Sequence, residues 1–169
     1  MNMKKVVIKN SVLVEKAQEG MDAFVQIFVD AINESIGGQL TVETMATLNA
    51  DQITLLAYNI LREEVMDGGF VQLIHNGYGP FFFRNPFGKM MREWGLDELA
   101  TLINRARTLY GKYYKDIERE CTDEEFMALF EQFPQFDDCD DLFVENEEQW
   151  TAAVAYYIDE HIEQFAEVE

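Results

Sequence analysis

His75 and His161 are the only imidazoles in this 169-residue chain, and acid–base chemistry near neutral pH would draw on them first. Neither has a second histidine at helical spacing or a Glu three residues before it, so the common helical metal sites are not indicated. His75, beside Asn76 and paired with Glu64, is the candidate for chemistry, but no nucleophile motif accompanies it. His161 falls between Tyr157 and Phe165 in a helical pattern and reads as a histidine at the edge of the core. Cys121 and Cys139 have neither finger nor Cys-x-x-Cys spacing and read as free thiols. Asp137 to Glu148 has the length and final Glu of an EF-hand loop, yet Cys139 stands at its third position and Leu142 where Gly is required. Gly77-Tyr78-Gly79 and Gly68-Gly69 lack the flanking strand, helix and Lys-Ser/Thr of a phosphate loop and read as turns. With 32 carboxylates, no glycosidase-like pair stands out. On this reading the chain has no assigned catalytic, metal-binding or cofactor-binding residue.

The carboxylates carry their information in where they fall. Residues 1–115 hold 13 acids against 12 bases, whereas residues 116–169 hold 19 acids and a single base, Arg119. Solvated surfaces ordinarily intersperse the two signs. A net charge of −19 concentrated in this way repels polyphosphate and anionic membranes and attracts cations and basic proteins. Direct nucleic-acid or membrane binding is therefore not expected. The N-terminal segment to Val14 has no apolar run of signal-peptide length, and no later segment approaches a membrane span, so a cytoplasmic address is expected.

The elements that must position these groups read as helices, in one domain whose composition, 48% hydrophobic, suffices for a sizeable core. The class expected is all-α, a single multi-helix domain over residues 1–169, with Val6-Val7-Ile8 as either a short strand or a helix start. Val12 to Ile36 reads as helix, with Gly20 as a point of interruption and Gly37-Gly38 as its stop. Asn49 and Gln52 form a capping-box pattern before the stripe Ile53, Leu56, Ile60 and Leu61, which ends at Asp67-Gly68-Gly69. Phe70, Leu73 and Ile74 make a short turn closed by Asn76-Gly77; Tyr78 to Phe83 reads as an aromatic-rich loop; Asn85-Pro86 opens a helix that Gly95 stops. Phe81, Phe82, Phe83 and Phe87 are expected as core or loop anchors in preference to an exposed docking patch. Asp97 opens a long helix burying Leu99, Leu102, Ile103, Ala106, Leu109 and Tyr113, with Arg105, Lys112 and Arg119 on another face, either paired with the acidic third or solvated. Thr122 and Glu125 form a second capping box, and Phe126, Leu129, Phe130 and Phe133 bury one face of the helix that Pro134 ends. A loop is expected to about Asn146, then a last helix from about Glu147 to Ala166 with Trp150, Val154, Tyr157, Ile158, Ile162 and Phe165 inside. Glu148, Asp159, Glu160, Glu163 and Glu167 lie on its other side. One such helix carries about one charge per 6 Å, sparser than the duplex value of about one per 1.7 Å, so several acidic elements would have to share a surface to imitate DNA.

The segment from Leu61 to Gly77, LREEVMDGGFVQLIHNG, resembles the signature of a bacterial family of unknown function that includes DNA-mimic proteins. The matching positions are Glu64, Val65, Gly68, Gly69, Phe70, Gln72 and Asn76, with Asp67 where the pattern has Asn. The helix after Asp97 and the ending Tyr157 to Phe165 are similar as well, so the resemblance covers residues 45–166. It implies an all-helical protein, and the activity named within that family is to present carboxylates in place of phosphates and so occupy the DNA-binding face of a transcription regulator. The motif itself also has a structural reading: a left-handed helix stop at Gly68-Gly69, an anchor at Phe70, and amides at Gln72 and Asn76 that satisfy loop backbone groups.

These observations favour a non-enzymatic, cofactor-free acidic protein that binds a basic DNA-binding partner such as a transcription regulator, acting as monomer or homodimer. The carboxylates expected to meet the partner are Asp137, Asp138, Asp140, Asp141, Glu145, Glu148, Asp159, Glu160, Glu163 and Glu167. The rival readings are an enzyme using His75 and Glu64, a protein whose acidity serves solubility only, and an immunity-type partner of a basic nuclease.

Overall fold

At Gly20 the backbone takes φ 134°, a region that side chains avoid, and there the helical run divides into α1, Asn10–Glu19, and α2, Met21–Ser35. The computed structural model describes residues 5–169; residues 1–4, the start of the lysine-bearing N-terminal segment, lie outside it. Helix accounts for 81% of the structure, as the periodicity requires, and the strand content is one two-residue pair. Val7–Ile8 forms that strand, β1, and pairs in parallel with Glu167–Val168, β2, with Val7 opposite Glu167 and Ile8 opposite Val168. The chain separates into two compact units, one made of residues up to Asn59 together with Gln149–Glu169, the other of Ile60–Glu148.

The first unit buries the inner stripe of α2, Phe24, Val25, Phe28, Val29 and Ile32. The Phe28 ring sits edge-on to Phe24 at 5.2 Å and to Phe165 at 6.4 Å. A four-residue helix α3, Val42–Met45, starts from a capping box of Thr41 and Thr44. Helix α4, Ala50–Leu73, begins with the expected Asn49/Gln52 box: the Gln52 N–H donates to Asn49 Oδ1 at 2.8 Å, and the Asn49 N–H to Gln52 Oε1 at 3.0 Å. Gln52 reaches further, its Nε2 donating to the Phe165 carbonyl at 3.0 Å in a buried contact. The buried hydroxyls of Tyr58 and Thr151 are hydrogen-bonded at 2.7 Å.

The second unit holds the rest of α4, which breaks at Gly68-Gly69 where a stop was expected; Gly68 has φ −144° and Gly69 φ 76°. A π-turn, Ile74–Tyr78, follows, with Gly77 at φ 93°. The aromatic-rich stretch after it is not a loop. Gly79–Phe83 is a helix, α5, because Pro80 fits the first helical turn and Phe82 and Phe83 are drawn into the core with Phe87. Gly79 is helical and packs its bare Cα against the Tyr110 ring, where a Cβ would collide, so only Gly77 of that glycine pair makes a turn. Helix α6, Phe87–Glu93, ends before Gly95, and α7, Asp97–Glu118, buries Leu99, Leu102, Ile103 and Ala106 with Tyr110 and Ile117, while Leu109 and Tyr113 are half-buried. Helix α8, Asp123–Gln132, starts from the Thr122/Glu125 box and buries Leu129, and a 3-10 turn follows at Pro134–Phe136.

The largest departure from expectation lies at residues 137–146. They form the first turns of α9, Asp137–Glu160, in place of a loop. Two effects favour this: Asp137, Asp138 and Asp140 stand in the first turn, where carboxylates complement the helix dipole, and Phe136, Cys139 and Phe143 are all fully buried, extending the apolar stripe back from Trp150. The far end is shorter than expected. His161, with φ −134°, interrupts the helix, α10 covers only Ile162–Phe165, and Glu167 belongs to β2. The carboxylate ladder Asp159/Glu163/Glu167 on one helix therefore does not form.

Candidate functional site

Carboxylates of the second unit gather along the start of α9. Asp137, Asp141, Glu145 and Glu148 recur at intervals of four, four and three, which at 3.6 residues per turn places them within a sector of about 80°. All four are exposed, as is Asp138 at the margin. Arg105 Nη2 approaches Asp138 Oδ2 at 3.3 Å, and Arg119 Nη1 approaches Glu125 Oε2 at 3.8 Å, so two members of the basic stripe on α7 do pair with acids. The Asp138 side chain nonetheless stays 78% exposed, and pairs of this kind contribute little stability and leave the charges in solvent. On α8, Asp123, Glu124, Glu125 and Glu131 are also exposed. They lie outside the ten carboxylates expected to meet a partner, although the run is plain in the sequence.

Two acids of the same region turn inward. Glu147 Oε1 lies 3.3 Å from Arg62 Nε, with the Glu147 side chain only 14% exposed, and so adds little to the surface charge. Asp140, expected to face a partner, instead accepts the Phe70 N–H on Oδ1 at 2.8 Å. Burial pushes its carboxyl up to about 6; the Phe70 N–H opposes this, and the charges of Asp137 and Asp141 add to it. Asp140 closes one side of the Gly68-Gly69 break, and a Cβ on Gly69 would run into its carboxylate.

The other side of that break is closed by amides. Gln72 Nε2 donates to Glu64 Oε2 at 2.9 Å and to Asp67 Oδ2 at 3.0 Å, and Asn76 Nδ2 donates to the same Glu64 oxygen at 2.9 Å. These amides were expected to serve loop backbone groups; they converge on a carboxylate because Glu64, one helical turn before the break, is the nearer acceptor. Phe70 is fully buried, as the anchor reading requires. The candidate motif residues Glu64, Gly68, Gly69, Phe70, Gln72 and Asn76 are thus brought together, and Asp140 joins them.

Each histidine has a ring nitrogen within hydrogen-bond distance of a backbone carbonyl. His75 Nδ1 lies 2.8 Å from the Ile117 carbonyl and its ring 4.6 Å from that of Phe126. His161 Nδ1 lies 2.8 Å from the Tyr157 carbonyl, with the two rings stacked at 4.1 Å. Cys139 is buried, which raises its thiol pKa, and Cys121 is half-buried; both are free. Among the described residues no cluster of three or more His, Cys, Asp or Glu is arranged to hold a metal ion, and no helix is long and apolar enough to cross a membrane. In the first unit Asp159 and Glu160 at the end of α9, Glu163 on α10 and Glu167 on β2 are exposed, the last within 3.1 Å of Lys5 Nζ.

Residues 46–161 match the sequence profile of the DMP19-like protein family. A relative from Neisseria meningitidis serogroup B, named DNA mimic protein DMP19, is 35% identical over 127 residues, covering 75% of this chain and 77% of its own. With the glycine break, its amide and carboxylate partners and an almost wholly helical fold lying inside the matched region, the chain belongs to the DMP19-like family.

Proposed function

We propose that this protein is a DNA mimic that binds a basic, DNA-binding protein through the carboxylates at the start of α9 and occupies the surface its partner would offer to DNA. The observation that carries this reading is the exposed row Asp137, Asp141, Glu145 and Glu148 on one face of an uninterrupted helix. The row rises about 16 Å along the axis, and with Asp138 it presents about one charge per 4 Å, close to the value of about 3.4 Å for a single DNA strand. The acids of α8 supply further negative charge within the same unit. The name of the Neisseria relative supports the same role. No step of the proposal requires a cofactor or catalytic residue, and Asp159, Glu160, Glu163 and Glu167 serve as a second acidic region to be tested separately.

The test is a pull-down from cell lysate with wild type beside the variant D137N/D141N/E145Q/E148Q. A basic DNA-binding protein should be retained by wild type, displaced by duplex DNA and absent from the variant. Recovery of the same proteins with both baits would mean that the row serves solubility. A parallel variant, D159N/E160Q/E163Q/E167Q, reports whether the first unit contributes.

A further inference from the structure

The Gly68-Gly69 break strands the backbone N–H groups of the helical segment that restarts at Phe70, because a helix start has no preceding turn to accept them. Near such a start, a carboxylate or amide oxygen ordinarily comes from a residue just before it in sequence. Here the Phe70 N–H is served by Asp140, 70 residues away, on the first turn of α9. The fit is close on both sides: Asp140 is half-buried, and the space that holds its carboxylate exists only because Gly69 has no Cβ. Asp140 points away from the exposed row, since it falls about 60° outside the sector that Asp137, Asp141, Glu145 and Glu148 share.

We infer that Asp140 is a positioning residue: from inside the acid-rich start of α9 it caps the helical segment restarting at Phe70, and this bond fixes the rotation at which Asp137, Asp141, Glu145 and Glu148 face outward. The effect on binding rests on the DNA-mimic reading; the cap itself does not. The acids at the start of this helix span about half its circumference, and several nearby rotations would leave most of their charges in solvent. A single acceptor matched to a stranded N–H, in a pocket too small for any residue but glycine, selects one of them. Cys139 and Phe143 bury the adjoining face but carry no directional bond across the break.

The experiment compares D140N with D140A. Both remove one charge, and only D140N keeps an acceptor oxygen near the Phe70 N–H. Two quantities are read: amide hydrogen exchange at Phe70 and across 136–148, and affinity for protamine, a basic DNA-binding protein, with duplex DNA as competitor. D140A should exchange roughly tenfold faster or more than wild type at these amides and bind protamine severalfold more weakly, with D140N exchanging no faster than wild type and binding protamine within about twofold of it. Equal behaviour of the two variants, or a Phe70 amide still protected in D140A, would overturn the inference. If D140A does not fold while D140N does, the acceptor oxygen is what separates them and the cap stands; if neither folds, charge is what matters and the cap falls. Failure of wild type to bind protamine in competition with DNA would count against the mimic reading alone, with the exchange comparison still deciding the cap.

Discussion

Asp140 Oδ1 and the Phe70 N–H meet at 2.8 Å, joining an acid from the most negative stretch of the chain to the glycine break of the family motif. The contact sorts carboxylates that the sequence presents as equals. Asp137, Asp138 and Asp141 stay in solvent, while their neighbour Asp140 does structural work within the fold.

Gly69 should be among the least replaceable residues of the second unit. G69A meets both a φ of 76° and the Asp140 carboxylate, and is expected to cost about 2–4 kcal/mol. G95A, at φ 86° with nothing near the new Cβ, meets the backbone cost alone and should lose about 1–2 kcal/mol. Urea unfolding of the two variants checks the difference.

Asp140 also predicts a pH dependence of known sign. Its folded pKa, about 6, lies above the ordinary carboxyl value of 3.8, so the folded state favours the protonated form. The penalty for ionising it is absent below about pH 4, grows as pH rises toward 6, and is constant above. D140N keeps an acceptor without the charge. Its stability relative to wild type should therefore rise across that window and level off at pH 7, by at most on the order of 2–3 kcal/mol. A difference that is flat from pH 4 to pH 7 would contradict this origin.

Neutralising the exposed row should separate function from stability. Asp137, Asp141 and Glu145 repel one another at four-residue spacing, each pair opposing the helix by about 0.2–0.5 kcal/mol. D141N/E145Q is expected to unfold at slightly higher denaturant while binding its basic partner more weakly, with the stability gain shrinking as salt screens the repulsion. Thermal melts at low and high salt, beside the pull-down, measure both effects.

Gln52 ties the start of α4 to the carbonyl of Phe165 through a side chain that is only 6% exposed. Q52L removes the capping-box acceptor and the donor to Phe165 together, at an expected cost of about 2–3 kcal/mol, whereas Q52E keeps the first and loses the second. Chemical denaturation should rank wild type above Q52E and Q52E above Q52L.

Much of the fold was legible because helices are set by contacts three or four residues apart. The glycine stops at 20, 37-38, 68-69 and 95, the capping boxes at Asn49 and Thr122, and the stripe after Asp97 are all local patterns, and each appears in the structure. The family signature was legible for a related reason, since Glu64, Gly68, Gly69, Phe70, Gln72 and Asn76 lie within 13 consecutive residues. The segment 78–83 reads locally as a loop because two nearby glycines mask a proline well placed to open a helix.

By itself the sequence determined the helical class, most helix boundaries and the asymmetry of charge, all properties of composition and short-range spacing. Tertiary structure alone decided which acids form a surface. The burial of Cys139 and Phe143 makes 137–146 helical, the stranded N–H of Phe70 draws Asp140 inward, Arg62 takes up Glu147, and pairing with Val7–Ile8 makes a strand of Glu167–Val168. Each of these outcomes depends on a partner distant in the chain. A carboxylate's fate follows from the donor that faces it, and no local pattern specifies that donor.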